Sequence, residues 1–388
     1  MPPLRPLIVF GTRPEAIKMA PVIQACQERP DEIQPLVCVS GQHREMLDQI
    51  TEYFGIHPDI DLSLMRPNQS LAELTARCLT RIDDVLTKYR PDCVVVQGDT
   101  TTTTSAALAA FYRRVPLVHV EAGLRTGRMQ SPWPEEVNRR VATLAATLHC
   151  APTEGARHHL LQEGIPDAAI VVTGNTVIDA LLETVRRERG RDGFWSAKHD
   201  YLNGRRMVLI TGHRRESLGK PLSQICRAIL MLAAEFPDVD FVFPIHLNPL
   251  VHEPVYRILR RHADENLHLL DPVSYPEFVW LMDRSSLIIS DSGGIQEEAP
   301  SLGKRVLVTR EVTERPELLA TGMAELVGAD VRRIVERAGV ILSGAGSITR
   351  PLAKPNPYGD GQAAPRIVEE IIRRFVAMEV APRSRVAA

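Results

Sequence analysis

The stretch DSGGIQEEAPSLG, residues 291–303, directly follows an apolar run at residues 287–289. The run predicts a short buried strand, and the residues after the two glycines predict the start of a helix. A strand, a Ser-Gly-Gly turn and a helix can hold a phosphate, because glycines let the backbone approach and the helix N-terminus attracts an anion. Glu298, one turn into the helix, could then accept hydrogen bonds from a ribose. The alternative is an ordinary strand-to-helix turn that uses glycine for its backbone freedom.

Length and composition favour a globular protein of two domains. The 388 residues exceed one ordinary hydrophobic core, and the 44% hydrophobic and 24% charged residues are typical of globular chains. The formal net charge of -2 argues against nucleic acid as the main partner, because nucleic-acid-binding proteins usually present a basic face.

Cysteine usage and hydropathy predict a cytoplasmic protein without a membrane partner. The six cysteines are scattered and form no CxxC pair, which is typical of buried free thiols in a reducing compartment. No uninterrupted apolar run reaches the roughly 18 residues of a membrane span. The N-terminus leads directly into an apolar strand, and we see no signal-peptide pattern there.

The first half of the chain alternates strands with helices. Strands are predicted at residues 7–10, 36–39, 93–96 and 117–120, and helices after GTRPEA, at 44–53, at 71–89 and at SAALAAFY. This alternation predicts a parallel sheet with helices on both faces, in which ligands bind at the carboxyl ends of the strands. Arg13, Asp99 and Glu121 each follow a predicted strand, so we expect them to share one edge of the sheet.

The pattern restarts after the block TGNT, residues 173–176. Residues 186–191 are charged and are interpreted as a linker; strands are then predicted at 207–211, 239–243, 267–270, 287–290 and 305–308, and a last amphipathic helix at 366–378. We therefore predict an α/β protein with two Rossmann-like, doubly wound domains that face a central cleft. Such an arrangement is typical of nucleotide-sugar enzymes.

Charged side chains at the predicted strand ends suit anion binding and proton transfer. Arg13 and Lys18 flank a strand-to-helix turn and form a sensible pair for diphosphate oxygens. Asp99 and Glu121 are predicted to end adjacent strands, and carboxylates that share a site can take separate acid and base roles. Glu135 and Glu136 follow Ser-Pro-Trp-Pro at a helix start, where an acidic residue is favourable whatever its function, and Glu136 is interpreted as structural.

His213 and His246 also lie at predicted strand ends. Arg214 and Arg215 beside His213 disfavour its protonation, which would keep the ring available as donor or acceptor. No histidines or cysteines have a convincing metal spacing, the threonine run lacks a P-loop lysine, and no GxGxxG follows a strand. The sequence therefore predicts no metal and no cofactor.

Eleven blocks of sequence closely resemble the non-hydrolysing bacterial UDP-N-acetylglucosamine 2-epimerase family. They run in the family's order over nearly the whole chain: GTRPEAIKMAP (11–21), GQHREMLDQ (41–49), QGDTTTT (97–103), HVEAGLRTG (119–127), SPWPEEVNR (131–139), TGNTVIDALL (173–182), TGHRRES (211–217), HLNP (246–249), DSGGIQEEAPSLGK (291–304), TERPE (313–317) and NPYGDG (356–361).

The resemblance implies a glycosyltransferase-B-like fold with domains at residues 1–172 and 173–360, and a final helix at 361–380 that packs back on the first domain. It also implies reversible conversion of UDP-N-acetylglucosamine to UDP-N-acetylmannosamine for cell-surface polysaccharide synthesis. In this family UDP is eliminated to give a glycal intermediate and then adds back, without a redox cofactor. The resemblance further suggests a homodimer.

The resemblance also implies roles for individual residues. The essential carboxylates and histidine of the family match Asp99, Glu121, Glu135 and His213. Its UDP-sugar contacts match Arg13, Lys18, Asp99, Glu121, His213, Ser292, Gly293, Gly294 and Glu298, with Phe278 near the uracil and Arg315 on the diphosphate. A second site, where substrate acts as an allosteric activator, matches Gln42, His43, Arg214 and His246. Which carboxylate acts on which face of the sugar is left open.

One residue departs from the family, and three other functions compete. Where some relatives have glutamine before the segment that contacts uracil, this chain has Val273, so a backbone contact would have to replace that side chain.

A glycosyltransferase of the same fold would share the Ser-Gly-Gly turn but need an acceptor groove. A hydrolysing relative would release free N-acetylmannosamine. A nucleotide-sugar sensor would not need Asp99, Glu121 and His213 together.

Overall fold

A computed structural model describes residues 2–41, 44–66, 69–202, 204–212, 214, 218–260, 266–313, 315–344 and 356–380, with only the backbone of 44–46 and 377–380. The chain divides into two compact units. Met1–Ala180 and Tyr358–Ala388 form the first unit, and Leu181–Pro357 forms the second. The predicted boundary at residue 172 lies just before the helix in which the first unit passes into the second.

The first unit is built on a parallel sheet. Its strands are β1 (Pro6–Phe10), β2 (Leu36–Val39), β3 (Ile60–Asp61), β4 (Cys93–Gln97), β5 (Leu117–Val120), β6 (Leu148–Ala151) and β7 (Ile170–Val172). Its helices are α1 (Arg13–Gln27), α2 (Arg44–Phe54), α3 (Leu71–Tyr89), α4 (Thr101–Tyr112), α5 (Glu135–Ala145) and α6 (Glu154–Gln162), and α7 (Thr176–Arg189) continues into the second unit.

The second unit repeats this plan. Its strands are β8 (Arg206–Thr211), β9 (Val239–Pro244), β10 (Leu267–Leu270), β11 (Leu287–Ser290), β12 (Val306–Val308) and β13 (Ala324–Leu326). Its helices are α8 (Asp192–Lys198), α9 (Lys220–Glu235), α10 (Pro249–Leu259), α11 (Tyr275–Arg284), α12 (Gly293–Glu298), α13 (Pro316–Leu319) and α14 (Val331–Leu342). The last helix of the chain, α15 (Ala363–Val380), belongs to the first unit.

Both sheets have the doubly wound strand order, which confirms the predicted α/β class with two Rossmann-like domains. Over the described residues the first sheet runs β3-β2-β1-β4-β5-β6-β7 and the second β10-β9-β8-β11-β12-β13, with parallel pairs. The strand order reverses between β1 and β4 in the first sheet and between β8 and β11 in the second. Ligands of such sheets bind beyond the carboxyl ends of the strands at these switch points.

Apolar strands and the apolar faces of the helices form the two cores. Strand β4 is buried over its whole length, as expected for a strand covered on both faces. Small residues such as Ala106 and Ala110 let α4 lie close to its neighbours α3 and α5. In the second unit, Leu222, Ile229 and Leu232 face inwards from α9 at helical spacing.

Four short strands and one helical segment differ from the predictions. Strands β3, β6, β7 and β13 have only two to four residues each and were not predicted. The interpretation of residues 186–191 as a linker is wrong, since α7 continues to Arg189. Helical spacing brings Arg186 and Arg187, three and four residues after Glu183, next to its carboxylate, and they form ion pairs with it at 2.5 and 2.6 Å.

The last helix is held on the first unit by polar contacts. Asp179 of α7 accepts hydrogen bonds from the first backbone N–H groups of α15, at 2.8 Å from Ala364 and 3.2 Å from Ala363. Further along, Glu369 binds Arg29 at 2.5 Å. In the part of the chain that the structure describes, no helix is both long and apolar enough to cross a membrane.

Candidate functional site

The turn after β1 places two cations near the first switch point. Thr12 caps α1, and Arg13 begins the helix and is half-buried. Lys18 lies further along the same helix, and its ammonium group forms an ion pair with Glu121. In the structure, the positive charge of Lys18 therefore neutralises the carboxylate of Glu121 at this edge of the sheet. The contact of Lys18 with a diphosphate stays a prediction.

Asp99 lies in the turn after β4 and is held by α5. Its carboxylate forms an ion pair with Arg139, whose side chain is 10% exposed, and its backbone oxygen accepts a hydrogen bond from Asn138 at 2.9 Å. Arg139 was not among the predicted site residues. The available signal was the block SPWPEEVNR, in which Arg139 lies four residues after Glu135 and so on the same helix face.

Glu121 follows β5, the neighbour of β4, so the two carboxylates lie at adjacent strand ends. Its backbone has a φ of 63°, a left-handed conformation that a residue with a side chain rarely adopts. Strain of this kind clusters at functional sites, where surrounding contacts hold it in place. The contacts here come from Lys18 and from Gln97, whose amide donates to Glu121 Oε2 at 2.8 Å. Gln97 was not among the predicted site residues.

Glu135 and Glu136 are adjacent at the start of α5 but have different surroundings. Glu136 is fully buried and binds Arg139 and Arg140, each at 3.3 Å, which agrees with its structural interpretation. Glu135 is half-buried, and among the described residues nothing donates a hydrogen bond to its buried Oε2 atom. A buried carboxylate oxygen without a donor is costly, so it is a reasonable place for a substrate group to bind.

In the second unit, the turn after β11 is fixed to the neighbouring strand β8. The hydroxyl groups of Ser290 and Thr211 lie 2.7 Å apart across the two strands. The backbone N–H of Ser292 donates to Ser290 Oγ at 2.9 Å. Asp291 is fully buried and accepts the backbone N–H of Arg214 at 3.0 Å. The DSGG turn is therefore held rigidly at the second switch point.

Gly293, the first residue of α12, lies against the guanidinium group of Arg315. A Cβ atom at position 293 would lie 2.7 Å from Arg315 Nη1 and 2.8 Å from Cζ, closer than side chains pack. Arg315 Nε donates at 2.7 Å to the fully buried carboxylate of Glu297. The close approach, and not a left-handed turn, explains why glycine occupies this position. It also brings a guanidinium to the start of α12.

The other predicted residues of the second unit lie around this turn or further away. Glu298 is buried near Gly294, and Phe278 is half-buried on α11, with Val273 in the loop before that helix. His246 is exposed after β9, and its Nδ1 accepts the backbone N–H of Asn248 at 3.0 Å. His213, Gln42 and His43 lie outside the described residues.

The fold and the strand-end residues define a class: α/β proteins of two Rossmann-like units, each with a polar ligand edge at its switch point. A family model described as UDP-N-acetylglucosamine 2-epimerase matches residues 24–372. The UDP-N-acetylglucosamine 2-epimerase of Escherichia coli (strain K12) is 50% identical over 379 residues, which cover 97% of this chain and 100% of that protein. The chain belongs to the bacterial, non-hydrolysing UDP-N-acetylglucosamine 2-epimerase family, as its motifs predict.

Solved structures of two family members are similar to this chain over most of its length. The Neisseria meningitidis enzyme, bound to UDP-N-acetylglucosamine, has a TM-score of 0.89 and 46% identity, with 95% of this chain and 100% of that chain covered. The Methanocaldococcus jannaschii enzyme, in complex with UDP-N-acetylglucosamine and UDP, has a TM-score of 0.78 and 30% identity at the same coverage. The likeness extends over both units of the fold.

The two neighbouring glutamates should respond differently to substitution. We expect Glu136→Gln to lower the free energy of unfolding by about 3 kcal/mol, because it leaves two cations beside a buried neutral group. We expect Glu135→Gln to change it by less than about 1 kcal/mol, since only a favourable charge at a helix start is lost. Urea unfolding of both variants measures this difference. Equal losses of stability would contradict the distinction between the two glutamates.

Proposed function

We propose that this protein interconverts UDP-N-acetylglucosamine and UDP-N-acetylmannosamine by inverting C2 of the sugar. Membership of the epimerase family supports the proposal, and one structural observation carries it. Asp99 and Glu121 follow the adjacent strands β4 and β5, and each carboxylate lies against a cation. Carboxylates at the ligand edge of a Rossmann-like sheet are suited to move protons to and from a bound sugar.

The chemistry of C2 explains why such a site is needed. No carbonyl group acidifies the C2 proton, so its direct removal is unfavourable. We propose that the bond from the anomeric carbon to UDP breaks as C2 loses its proton, which leaves a glycal and free UDP. Protonation of the glycal on the opposite face and re-addition of UDP then give the epimer. The electron pair of the broken C–O bond leaves with UDP, so the sequence of steps involves no net oxidation.

The residues of the first unit are proposed to act at the sugar. Asp99, Glu121 and Glu135 serve as proton acceptors and donors around C2, and the unpartnered Glu135 Oε2 in the described structure supports the third of these assignments. Arg13 and Lys18 are proposed contacts of the nucleotide sugar, where cations can stabilise the charge that develops on the departing diphosphate. His213, in the residue range of the second unit, is proposed as the essential histidine on the basis of the sequence block TGHRRES.

The residues of the second unit are proposed to bind UDP. The N–H groups at Ser292, Gly293 and Gly294 suit an anion, and Arg315, which packs on Gly293, adds a fixed positive charge. Glu298 is the proposed acceptor for the ribose hydroxyl groups, and Phe278 the proposed neighbour of the uracil. Val273 replaces the glutamine of some relatives, so we propose a backbone contact to uracil at that position.

Further proposals rest on the family resemblance. Gln42, His43, Arg214 and His246 would bind a second UDP-N-acetylglucosamine as an activator. The protein would act as a homodimer. It would act in the cytoplasm, a reducing compartment, and its six cysteines, all free and buried, agree with that location. Its product would supply the synthesis of a cell-surface polysaccharide.

Proton NMR in deuterium oxide tests the proposed function. We expect purified protein and UDP-N-acetylglucosamine to give deuterium at C2 and a UDP-N-acetylmannosamine signal that grows to a constant ratio. A sample without protein is the control. Release of free N-acetylmannosamine and UDP would instead indicate a hydrolysing enzyme. An unchanged spectrum from protein that still binds UDP would contradict the proposal and favour a transferase that lacks its acceptor.

Gly293→Ala should weaken UDP binding by about tenfold or more, because the new methyl group would displace the Arg315 guanidinium from its place. Gly193→Ala in α8 is the control, since Gly193 lies outside the proposed UDP contacts and its Cβ would meet nothing within 4 Å among the described residues. We expect the control to bind UDP within about threefold of the wild type. Calorimetric titration with UDP measures both. Equal losses would show that displacement of Arg315 is not the cause.

A further inference from the structure

The carboxylate of Glu15 lies between the two turns at the switch point of the first sheet. Glu15 is 1% exposed. Its Oε2 atom accepts the backbone N–H groups of Gly11 and Thr12, at 3.0 and 2.8 Å. Its Oε1 atom lies 2.6 Å from Thr100 Oγ1 and 3.2 Å from Thr103 Oγ1, two residues of the turn and helix that follow β4. One buried side chain thus connects the turn after β1 with the turn after β4.

Helix capping explains only half of these contacts. In a capping box the glutamate returns a hydrogen bond to the backbone at the start of its own helix, as the Oε2 atom of Glu15 does. Glutamine can fill the same position, so capping alone does not require a carboxylate. Burial raises the pKa of Glu15, which means that its charged form is costly in this place. The contacts of Oε1 reach a hydroxyl 85 positions away in the chain.

The contacts of Oε1 lie on both sides of Asp99. Thr100 is the next residue in the chain. Gln97 lies two residues before Asp99, and its backbone oxygen lies 2.7 Å from Thr103 Oγ1. The hydroxyl proton of Thr103 is shared between that oxygen and the carboxylate of Glu15. The backbone of the Gln97–Thr100 turn is therefore tied to Glu15 before and after the proposed catalytic carboxylate.

A buried histidine supports the same turn from the other side. His119 of β5 is fully buried, and its Nε2 lies 2.8 Å from the backbone oxygen of Gly98. Burial lowers the pKa of His119 to about 3, so the ring is neutral near pH 7 and its Nε2–H donates to that oxygen. Glu15 and His119 together leave the turn little freedom to move. Asp99 can then keep one orientation without further contacts from substrate.

We propose that Glu15 is a positioning residue for Asp99. Glu15 binds the hydroxyl group of Thr100 and so holds the turn in the geometry that the reaction at C2 requires. This role rests on the proposed function. Glu15 does not reach the reacting atoms in this account, and its effect is on the orientation of the carboxylate that does. Displacements of about 1 Å in a catalytic group can lower a rate by about a hundredfold, so a loose turn should reduce kcat.

Thr100→Val tests this role, and Thr153→Val is its matched control. Both threonines cap a helix that follows a strand of the same sheet, through hydrogen bonds of 3.1 Å from Thr103 and Ala156. Both substitutions remove a cap and should lower the melting temperature similarly. Only Thr100→Val also removes the bond to Glu15. We expect it to lower kcat by about tenfold or more, with the Kd for UDP within about threefold of wild type.

Two further variants complete the experiment. Thr100→Ser keeps the hydroxyl group and should restore kcat to within about twofold of wild type. Glu15→Gln should lower kcat as Thr100→Val does, and the double variant should lose no more than the larger single loss, because both interrupt one connection. If Glu15→Gln does not fold, the comparison of the two threonine variants still decides the matter.

The outcomes separate the two proposals. Wild-type protein that exchanges no deuterium at C2 contradicts the proposed function and, with it, this role of Glu15. An active wild type whose Thr100→Val and Thr153→Val variants have equal kcat contradicts the role of Glu15 alone. A double variant whose loss is the product of the single losses also contradicts it, because the two residues would then act independently.

Discussion

Parallel pairing of β1 with β4, and of β8 with β11, is the constraint on which both units depend. Strands that run in one direction release the chain at the same edge, so the turns that follow them become neighbours. In each unit a buried carboxylate then joins the two turns. Glu15 accepts the hydroxyl of Thr100 at 2.6 Å in the first unit, and Asp291 accepts the backbone N–H of Arg214 at 3.0 Å in the second. The turns at each ligand edge are thus joined by contacts within the protein.

Ion pairs orient the charged side chains at these edges. Asp99 contacts Arg139, Glu121 contacts Lys18, and Glu297 binds Arg315 at 2.7 Å. Such pairs are weak evidence for stability, because removing charges from water costs about as much as the pair returns. Their value here is geometric: each fixes the direction of a carboxylate or a guanidinium group at a strand end. The same charges suit a substrate whose diphosphate leaves and whose C2 carbon exchanges a proton.

Local sequence patterns predicted most of the fold, but they could not predict contacts between distant side chains. Apolar runs bounded by glycine or aspartate marked most of the strands, whereas β3, β7 and β13, with two or three residues, are too short to stand out, and β6 was also missed. Arg13, Asp99 and Glu121 could be placed because the topology fixes where a strand ends. Arg139 could not be paired with Asp99 in advance, since the contact spans 40 positions and depends on how α5 packs. The second contact of Glu15 was hidden for the same reason.

The most direct test of the account is the comparison of Asp99→Asn with wild type in two assays, C2 deuterium exchange and UDP binding. Asp99 is a proposed proton-transfer residue of the first unit, whereas the proposed contacts to uracil and ribose come from the second unit. We therefore expect turnover to fall by about a hundredfold or more, which is the scale of general acid–base catalysis. The Kd for UDP should stay within about threefold of wild type. Unchanged turnover in this variant would remove Asp99 from the mechanism and contradict the central claim.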